Sequence, residues 1–338
     1  MERIMKSIEE PVVEPIVEPV VEPVVEPVVE PVVEPVVEPI VKPIVEPVVE
    51  PVDKTLLVRE LEHQTCLSGL SRGNMQLYLI EGHKAPSLMR EIGRQREIAF
   101  RTAGGGTGLS CDVDRFDLDP ELGFRQLICW DSQNREVMGG YRILFGRDCR
   151  LDANGQPDMP SAHLFRFSDH FIRQHLPNMM EMSRSFTATH NIFTLNLLFS
   201  GLAVLCKQNS ISSLFGKVTF FPSYPSEALG LLEAFAAKHC PDPDSWVVPH
   251  TPYLVPIPDY AASVLVNDSY EADLKALTKT LHEKGFFMPP ILKSYLRIFS
   301  GFRVFGTAVN DIFGNVIEMG MFCYLNDITA ARFTSLLK

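Results

Sequence analysis

Several charged residues of this chain stand inside segments that are otherwise apolar. Arg142 lies in the run Gly139–Ile143, and both Glu181 and Arg184 lie in the run Met180–Phe186. A charge in a protein core costs free energy unless an opposite charge or hydrogen-bond donors compensate it. These residues are therefore either structural ion pairs or a set of carboxylates and guanidinium groups that binds a substrate and moves its protons.

Three more charged residues extend this candidate set. Arg96 precedes Phe100 by four residues, so the two side chains share one face of a predicted helix. Asp114 and Asp117 are three residues apart and directly follow a glycine-rich segment at 104–108. Because these charges come from separate predicted elements, we expect the fold to bring them together around a substrate.

Other chemistries lack their sequence signals. The segment 104–108 has no Lys-Ser/Thr ending and no strand that feeds it, so a phosphate-binding loop is disfavoured and a mobile gate beside a substrate channel is favoured. There is no Gly-x-Ser-x-Gly elbow. His163, His170 and His175 do not have metal-ligand spacing, and basic residues form no stripe with aromatics. We therefore expect no metal, no cofactor and no nucleic acid.

The first 54 residues form a segment with its own composition. Residues 11–52 repeat Glu-Pro-Val-Val with minor variants, and residues 1–53 carry 13 acidic and 3 basic residues, which accounts for −10 of the net charge of −11. Proline at every fourth position prevents helix and sheet from propagating. The sequence predicts a disordered, extended arm over residues 1–54 and a folded domain over residues 55–338 that is close to neutral.

The compartment is predicted from what the chain contains. None of the seven cysteines belongs to a CxxC pair, and their number is odd, which fits a reducing environment. Residues 1–10 contain no apolar signal-peptide core, and the apolar stretch 192–206 is too short for a membrane span. We expect a cytoplasmic protein, for which peripheral contact with the inner membrane is an option.

The periodicity of apolar residues predicts a mixed α+β fold without regular βαβ alternation. The main predicted strands are 76–80, 124–130, 136–144, 179–186, 213–219, 302–308 and 316–324. The main predicted helices are 85–100, 169–175, 192–208, 226–239, 270–283 and 291–299. This order favours a largely antiparallel central sheet flanked by helices.

The charged motifs also carry a resemblance to a known family. Arg90–Arg101 with Arg96 and Phe100, Gly106-Thr107-Gly108, the Asp112–Asp117 run, Gly139–Arg142 and Glu181–Phe186 occur in an order that resembles bacterial N-acyltransferases of the GNAT superfamily. These are the ornithine-lipid and glycine-lipid synthases, often labelled hemolysins. The motifs are also distantly similar to acyl-homoserine-lactone synthases, and the resemblance spans about residues 75–325.

The resemblance implies a fold, two substrates and a set of roles. It implies a GNAT-like domain with a C-terminal extension that moves a 3-hydroxy or other fatty acyl group from acyl carrier protein to the α-amine of glycine or ornithine, in aminolipid biosynthesis. GNAT enzymes that use coenzyme A carry a glycine-containing turn that binds pyrophosphate, whereas residues 185–191 here contain no glycine, which favours a carrier-protein donor. Arg90, Arg94 and Arg101 offer that acidic carrier a basic helix face.

Each candidate residue then receives an expected role. Glu181 is the expected base, Asp114 and Asp117 orient the amine or its water, and Arg184 completes the catalytic group. The expected substrate-binding residues are Arg96, Phe100, Arg142, Ser183 and Phe186. Two alternatives remain open: a signal synthase of the acyl-homoserine-lactone type, which would require S-adenosylmethionine, and a membrane-active protein without enzymatic activity.

Overall fold

A computed structural model of the chain describes residues 45–67, 69–188, 192–299 and 301–328. Most of the expected repeat arm, residues 1–44, lies outside the described residues. The strands are β1 (Thr65–Cys66), β2 (Met75–Ile80), β3 (Arg125–Asp131), β4 (Glu136–Phe145), β5 (Phe165–Phe167), β6 (Met179–Thr187), β7 (Ser213–Phe220), β8 (Val247–Pro249), β9 (Arg303–Asn310) and β10 (Val316–Tyr324). The helices are α1 (Lys54–Leu61), α2 (Pro86–Ala103), α3 (Arg115–Leu118), α4 (Asp169–Gln174), α5 (Ile192–Gln208), α6 (Ser226–His239), α7 (Ala261–Val264), α8 (Tyr270–Glu283) and α9 (Pro290–Ile298).

Eight of these strands form one sheet in the order β1-β2-β3-β4-β6-β7-β10-β9. Every neighbouring pair in it is antiparallel except β6 and β7, which run parallel. Strands β5 and β8 form a separate antiparallel pair. The expected α+β class, with a largely antiparallel sheet flanked by helices, is confirmed.

The two faces of the sheet bury different helices. Helix α2 packs on β4 and β6 from one side, and α5 packs on β2, β3, β4 and β6 from the other. Alternation along β4 follows from this: Tyr141 and Ile143 join the core on the α5 side, whereas Arg142 and Leu144 point to the α2 side. Arg142 is fully buried there, so its charge must be compensated locally.

A bulge interrupts the pairing of β4 with β6. Gly140 pairs with Phe186 and Arg142 pairs with Ser183, so two residues of β6 lie opposite one of β4. Arg184, at the bulge, has φ of +50°, a left-handed conformation that is costly for a residue other than glycine. At Gly139 a Cβ would lie 2.6 Å from the carbonyl oxygen of Phe186, so the strands could not approach this closely with a larger residue.

The last residues of the repeat contact the folded domain. The backbone N–H groups of Glu46 and Val49 donate to the carbonyl oxygens of Gly108 and Ser110, at 2.9 and 3.0 Å. The N–H of Val52 donates to the Glu91 carboxylate at 3.2 Å. Although the expected arm runs to residue 54, its final units lie along α2 and the glycine-rich segment.

Candidate active site

The sheet opens where β6 and β7 separate. Their parallel pairing ends at Met182 and Gly216, and the residues that follow on both strands line a cavity of about 350 Å³. The separation coincides with the bulge at Arg184, where ladder hydrogen bonding is disrupted. A bulge beside a cavity exposes backbone groups that a continuous strand would use for pairing.

The cavity connects the two faces of the sheet. On the α2 side its wall contains phenylalanines and polar residues: Phe100, Ser183, Arg184, Phe186, Phe215, Lys217, Thr219, Phe313 and Glu318. On the α5 side the wall is mostly apolar: Tyr141, Met182, Leu214, Val218, Ile291, Tyr295, Phe299, Phe302 and Met321. A cavity with one charged half and one apolar half suits a small polar substrate that meets a long apolar one.

Three arginines and three aspartates form a continuous chain beside the charged half. Arg96 Nη1 donates to Asp117 Oδ1 at 3.0 Å, and Arg142 Nη1 donates to Asp117 Oδ2 at 3.2 Å and to Asp114 Oδ1 at 2.7 Å. An Arg184 Nη2 lies 4.0 Å from Asp114, and Arg184 Nε lies 2.9 Å from Asp112. We call these six residues the Asp–Arg chain. Its formal charges balance, which lowers the cost of burying Arg96, Arg142, Asp112 and Asp117.

Local structure places the aspartates of the chain. The Asp114 carboxylate caps α3 by accepting a hydrogen bond from the N–H of Phe116 at 2.8 Å. The Asp117 carboxylate completes this capping box by accepting a hydrogen bond from the N–H of Asp114 at 3.0 Å. Burial would raise the pKa of Asp117, but the guanidinium groups of Arg96 and Arg142 outweigh it and lower that pKa. Asp117 is therefore ionised, as a structural counterion requires.

Arg184 is the member of the Asp–Arg chain that lines the cavity. Its guanidinium lies 4.4 Å from the centre of the Phe313 ring, and its side chain is 15% exposed. Burial raises the pKa of the neighbouring Asp112, although the charge of Arg184 opposes that effect. The left-handed backbone at Arg184 thus aims a cation into the cavity while its Nε remains paired.

Glu181 lies behind the wall of the cavity. Its side chain is fully buried on β6, Ser161 Oγ donates to its Oε1 at 2.5 Å, and its Oε2 has no hydrogen-bond partner among the described residues. Burial raises its pKa, against the hydrogen bond from Ser161 that lowers it. A carboxyl group with a raised pKa can exchange a proton closer to neutral pH than an ordinary glutamate can.

The structure divides the residues singled out from the sequence into two groups. Phe100, Ser183, Arg184 and Phe186 line the cavity. Arg96, Asp114, Asp117, Arg142 and Glu181 lie close behind it, in the Asp–Arg chain or beneath β6. Arg96 and Arg142, which we expected to bind substrate, are instead fully buried and form ion pairs with Asp117 and Asp114.

The cavity wall contains two polar pairs that are not among the residues singled out from the sequence. Lys217 and Glu318 pair at 2.7 Å, and the hydroxyl oxygens of Tyr141 and Tyr295 are 3.4 Å apart. The lysine had a visible signal, since it stands alone in the apolar run Leu214–Val218. Its partner comes from β10, which is adjacent to β7 only in the folded sheet.

The glycine-rich segment is held by one carboxylate. Glu97 is fully buried and accepts the N–H and hydroxyl of Thr107 at 3.1 and 2.8 Å and the N–H of Gly108 at 2.8 Å. The amides that a phosphate would need are therefore occupied. These hydrogen bonds also argue against the expected mobile gate, because they fix the loop to α2.

The expected basic face for a carrier protein is smaller than the sequence indicated. Arg94 pairs with Glu91 at 2.7 Å, and Arg101 pairs with Glu97 at 2.7 Å. Arg90 is the exposed member of the three. The turn after β6, whose lack of glycine favoured a carrier-protein donor, includes residues 189–191, which lie outside the described residues.

Among the residues with described positions, no helix combines the length and the apolar character needed to cross a bilayer.

Several known proteins resemble this chain in sequence or in fold. Residues 95–191 match the family described as an acetyltransferase (GNAT) domain. A glycine Nα-acyltransferase of Bacteroides thetaiotaomicron is 38% identical over 286 residues, which cover 81% of this chain and 85% of that protein. An L-ornithine Nα-acyltransferase of Brucella abortus is 26% identical over 217 residues, covering 60% and 66%. The crystal structure of the AHL synthase LasI aligns with a TM-score of 0.37 at 13% identity, over 77% of this chain and 94% of that one.

Proposed function

Because the chain belongs to the glycine Nα-acyltransferase family and is an N-acyltransferase, we propose that it joins a fatty acyl group, including 3-hydroxy acyl chains, to the α-amine of glycine in aminolipid biosynthesis. The observation that carries this proposal is the cavity at the separation of β6 and β7. It offers a charged half for an amino acid and an apolar half for an acyl chain, and the two halves meet beside the bulge at Arg184.

The proposed reaction is a direct attack on a thioester. The neutral amine nitrogen forms a bond to the acyl carbonyl carbon, the carbon–sulfur bond breaks, and the thiol of the donor leaves with a proton. The α-amine of a free amino acid is mostly protonated at neutral pH, so a base must take a proton from it first. We assign that base to Glu181, reached through a bridging water because its carboxylate lies behind the cavity wall.

The other candidate residues have supporting roles in this proposal. Arg184 binds the carboxylate of the amino acid, since its guanidinium lines the cavity and has N–H groups besides the Nε that pairs with Asp112. Backbone N–H groups at the bulge stabilise the oxyanion of the intermediate. Asp114 and Asp117 orient Arg142 and, through Asp114, Arg184. Arg142 donates to the Ser183 hydroxyl at 3.2 Å and so positions that wall of the cavity.

The donor side of the proposal concerns the acyl chain and its carrier. Phe299, Phe302 and Met321 supply apolar wall on the α5 side, and the hydroxyl pair of Tyr141 and Tyr295 can accept or donate to a hydroxyl on the chain. We propose acyl carrier protein as the donor, supported by the absence of glycine in residues 185–191.

We also propose that the enzyme works at a membrane surface. Pro290 is both exposed and part of the cavity wall, so the cavity opens beside it, and Phe287, three residues earlier, is 72% exposed. Lys293 and Arg297 on α9 are exposed as well. An apolar side chain with basic neighbours at a cavity mouth suits an anionic lipid surface that receives an acylated product.

The test of the proposed function is a reconstituted transfer assay. Purified full-length protein is mixed with a long-chain acyl carrier protein thioester and with glycine, ornithine, serine or S-adenosylmethionine, and products are identified by mass spectrometry. We expect N-acyl glycine. If no acceptor yields an acylated product, the proposed function is wrong, and a product from S-adenosylmethionine alone would point to a signal synthase.

A further inference from the structure

A second ion pair, between Lys217 and Glu318, lies in the wall of the cavity. Lys217 Nζ is 2.7 Å from Glu318 Oε2, and the two side chains are 9% and 6% exposed. Thr219 Oγ1 donates to Glu318 Oε1 at 3.3 Å, and Asn310 Nδ2 donates to Oε2 at 3.2 Å. The pair is thus built into the sheet by hydrogen bonds from β7 and β9.

Strand register places this pair on the proposed amino-acid side. Lys217 follows Gly216, the last residue of β7 that pairs with β6, and Glu318 pairs with Thr219 across β7 and β10. Lys217 and Thr219 alternate with Val218, which belongs to the core on the α5 side. The ammonium and the carboxylate therefore face the same half of the cavity as Ser183 and Arg184.

The charged side chains in this half of the cavity differ in how many of their hydrogen-bonding groups already have partners. Within the described residues, the charged side chains that line the cavity are Arg184, Lys217 and Glu318. Both oxygens of Glu318 already accept hydrogen bonds. Lys217 has three N–H donors and uses one for Glu318, and Arg184 uses its Nε for Asp112. The cavity can therefore donate to an incoming carboxylate, but its carboxylate is already neutralised.

We propose that the Lys217–Glu318 pair selects the acceptor amino acid. Lys217 attracts the α-carboxylate and at the same time occupies Glu318, so an amino acid without a cationic side chain is accepted and one with a second ammonium group is not. A cationic side chain would enter a half-cavity that is lined by two cations and by one carboxylate, Glu318, which is already paired with Lys217. This arrangement costs free energy in a site removed from water. This inference rests on the proposed transfer to an amino-acid amine.

Lys217→Met tests the inference because it removes the ammonium and keeps a side chain of similar length. It leaves Glu318 as an unpaired carboxylate inside the cavity. The full-length variant and the wild type are assayed with one acyl carrier protein thioester and with glycine or ornithine. We expect kcat/KM to fall at least about tenfold for glycine and the ornithine-to-glycine ratio to rise by about 10- to 100-fold, for one lost and one gained charge contact. The matched control Lys217→Arg keeps the wild-type preference.

The double variant Lys217→Met/Glu318→Gln separates charge from cavity size. It keeps the side-chain sizes of Lys217→Met but has no carboxylate, so the gain for ornithine should disappear. An unchanged ornithine-to-glycine ratio in a Lys217→Met protein that retains the wild-type circular dichroism spectrum overturns the inference, as does an ornithine gain that survives in the double variant. Failure of the wild type to acylate any amino acid refutes the proposed function instead.

If Lys217→Met does not fold, Glu318→Gln provides the test. It removes the carboxylate and releases the full charge of Lys217 toward the acceptor, so KM for glycine should stay equal or fall while ornithine remains unused. A tenfold rise in KM for glycine, or new activity with ornithine, would overturn the inference.

Discussion

Arg96 and Asp117 form a 3.0 Å ion pair in which both side chains are fully buried. The pair joins α2 to α3 and continues through Arg142 and Asp114 to Arg184 at the cavity. Some residues that resemble a catalytic set in the sequence therefore stabilise the fold. Experiments can separate the two kinds of residue, because loss of a stabilising residue lowers the free energy of unfolding, whereas loss of a site residue lowers the rate of turnover.

Replacing Arg96 with methionine should strongly destabilise the fold. The change leaves the Asp117 carboxylate buried with one guanidinium fewer, and removal of one partner from a buried pair typically costs about 3–5 kcal/mol. Chemical denaturation measures the free energy of unfolding. The matched control is Arg173→Met, which breaks an exposed pair with Asp169 and should cost less than about 1 kcal/mol. Equal losses in the two variants would contradict a structural role for Arg96.

The pH dependence of turnover should follow the ionisation of the Glu181 carboxyl group. Burial raises its pKa, so its carboxylate form is lost on the acid side at a higher pH than for an ordinary glutamate. Since the hydrogen bond from Ser161 lowers this pKa, Ser161→Ala should move the acid limb of kcat to still higher pH. Glu181→Gln should remove most of the turnover, and the acid limb of the kcat profile should disappear. Glu233→Gln, at a half-buried glutamate whose pKa is also raised by burial, should change neither.

Arg184→Lys should weaken binding of the acceptor more than it slows chemistry. Lysine keeps the charge, but it cannot combine the contact with Phe313, the bond to Asp112 and a two-point grip on a carboxylate. We expect KM for glycine to rise about tenfold, which corresponds to about 1.4 kcal/mol, with an unchanged KM for the acyl donor. Steady-state kinetics with each substrate varied in turn decides this, and a rise confined to the donor KM would place Arg184 on the wrong side of the cavity.

Phe287→Ser should reduce binding to anionic vesicles. The residue is 72% exposed next to the cavity mouth at Pro290, and burial of its ring in the lipid interface would be lost. Flotation with vesicles that contain phosphatidylglycerol measures the bound fraction. Leu151→Ser, at an exposed apolar residue outside the segment 287–297 that contains the cavity mouth, is the control. Equal binding by wild type and Phe287→Ser would contradict the proposed membrane surface.

Truncation should divide the repeat arm into two parts. We propose that residues 1–44 are a tether, so their removal should leave thermal stability and turnover unchanged. Removal of residues 1–53 also deletes Glu46, Val52 and Asp53, whose carboxylate caps α1 by accepting the N–H of Thr55 at 2.8 Å. We expect the unfolding midpoint to fall by roughly 2–4 °C, measured by calorimetry. Identical midpoints for the two truncations would show that the contacts of 46–53 contribute nothing.

The long elements of this fold could be predicted from the sequence because their apolar periodicity is strong. Strand β10 and helices α5, α6 and α8 have the predicted bounds, and β4 and β6 each extend one residue further. The sequence does not predict the short elements β1, α1, α3, β5, β8 and α7, since a few residues carry little periodicity. Helix α3 in addition depends on the capping box of Asp114 and Asp117, whose carboxylates the family resemblance assigns to a catalytic group.

The candidate site was predictable only in part, for a topological reason. The β6 motif that carries the family resemblance contains Ser183, Arg184 and Phe186, and all three line the cavity. Spacing cannot show that β7 and β10 are neighbours, so the partner of Lys217 was not visible. Spacing also cannot show the β-bulge. The left-handed backbone at Arg184 cannot be predicted from the residue type, because arginine rarely adopts a positive φ.

The decisive measurement of the proposed transfer is mass spectrometry of lipids from a bacterial strain that expresses the full-length protein. We expect N-acyl glycine in the extract, carrying a fatty or 3-hydroxy fatty acyl chain, and its absence from a strain that expresses Glu181→Gln at the same level. Extracts with no new acylated amino acid, or with an unchanged product in the Glu181→Gln strain, would contradict the proposed transfer or the proposed base, respectively.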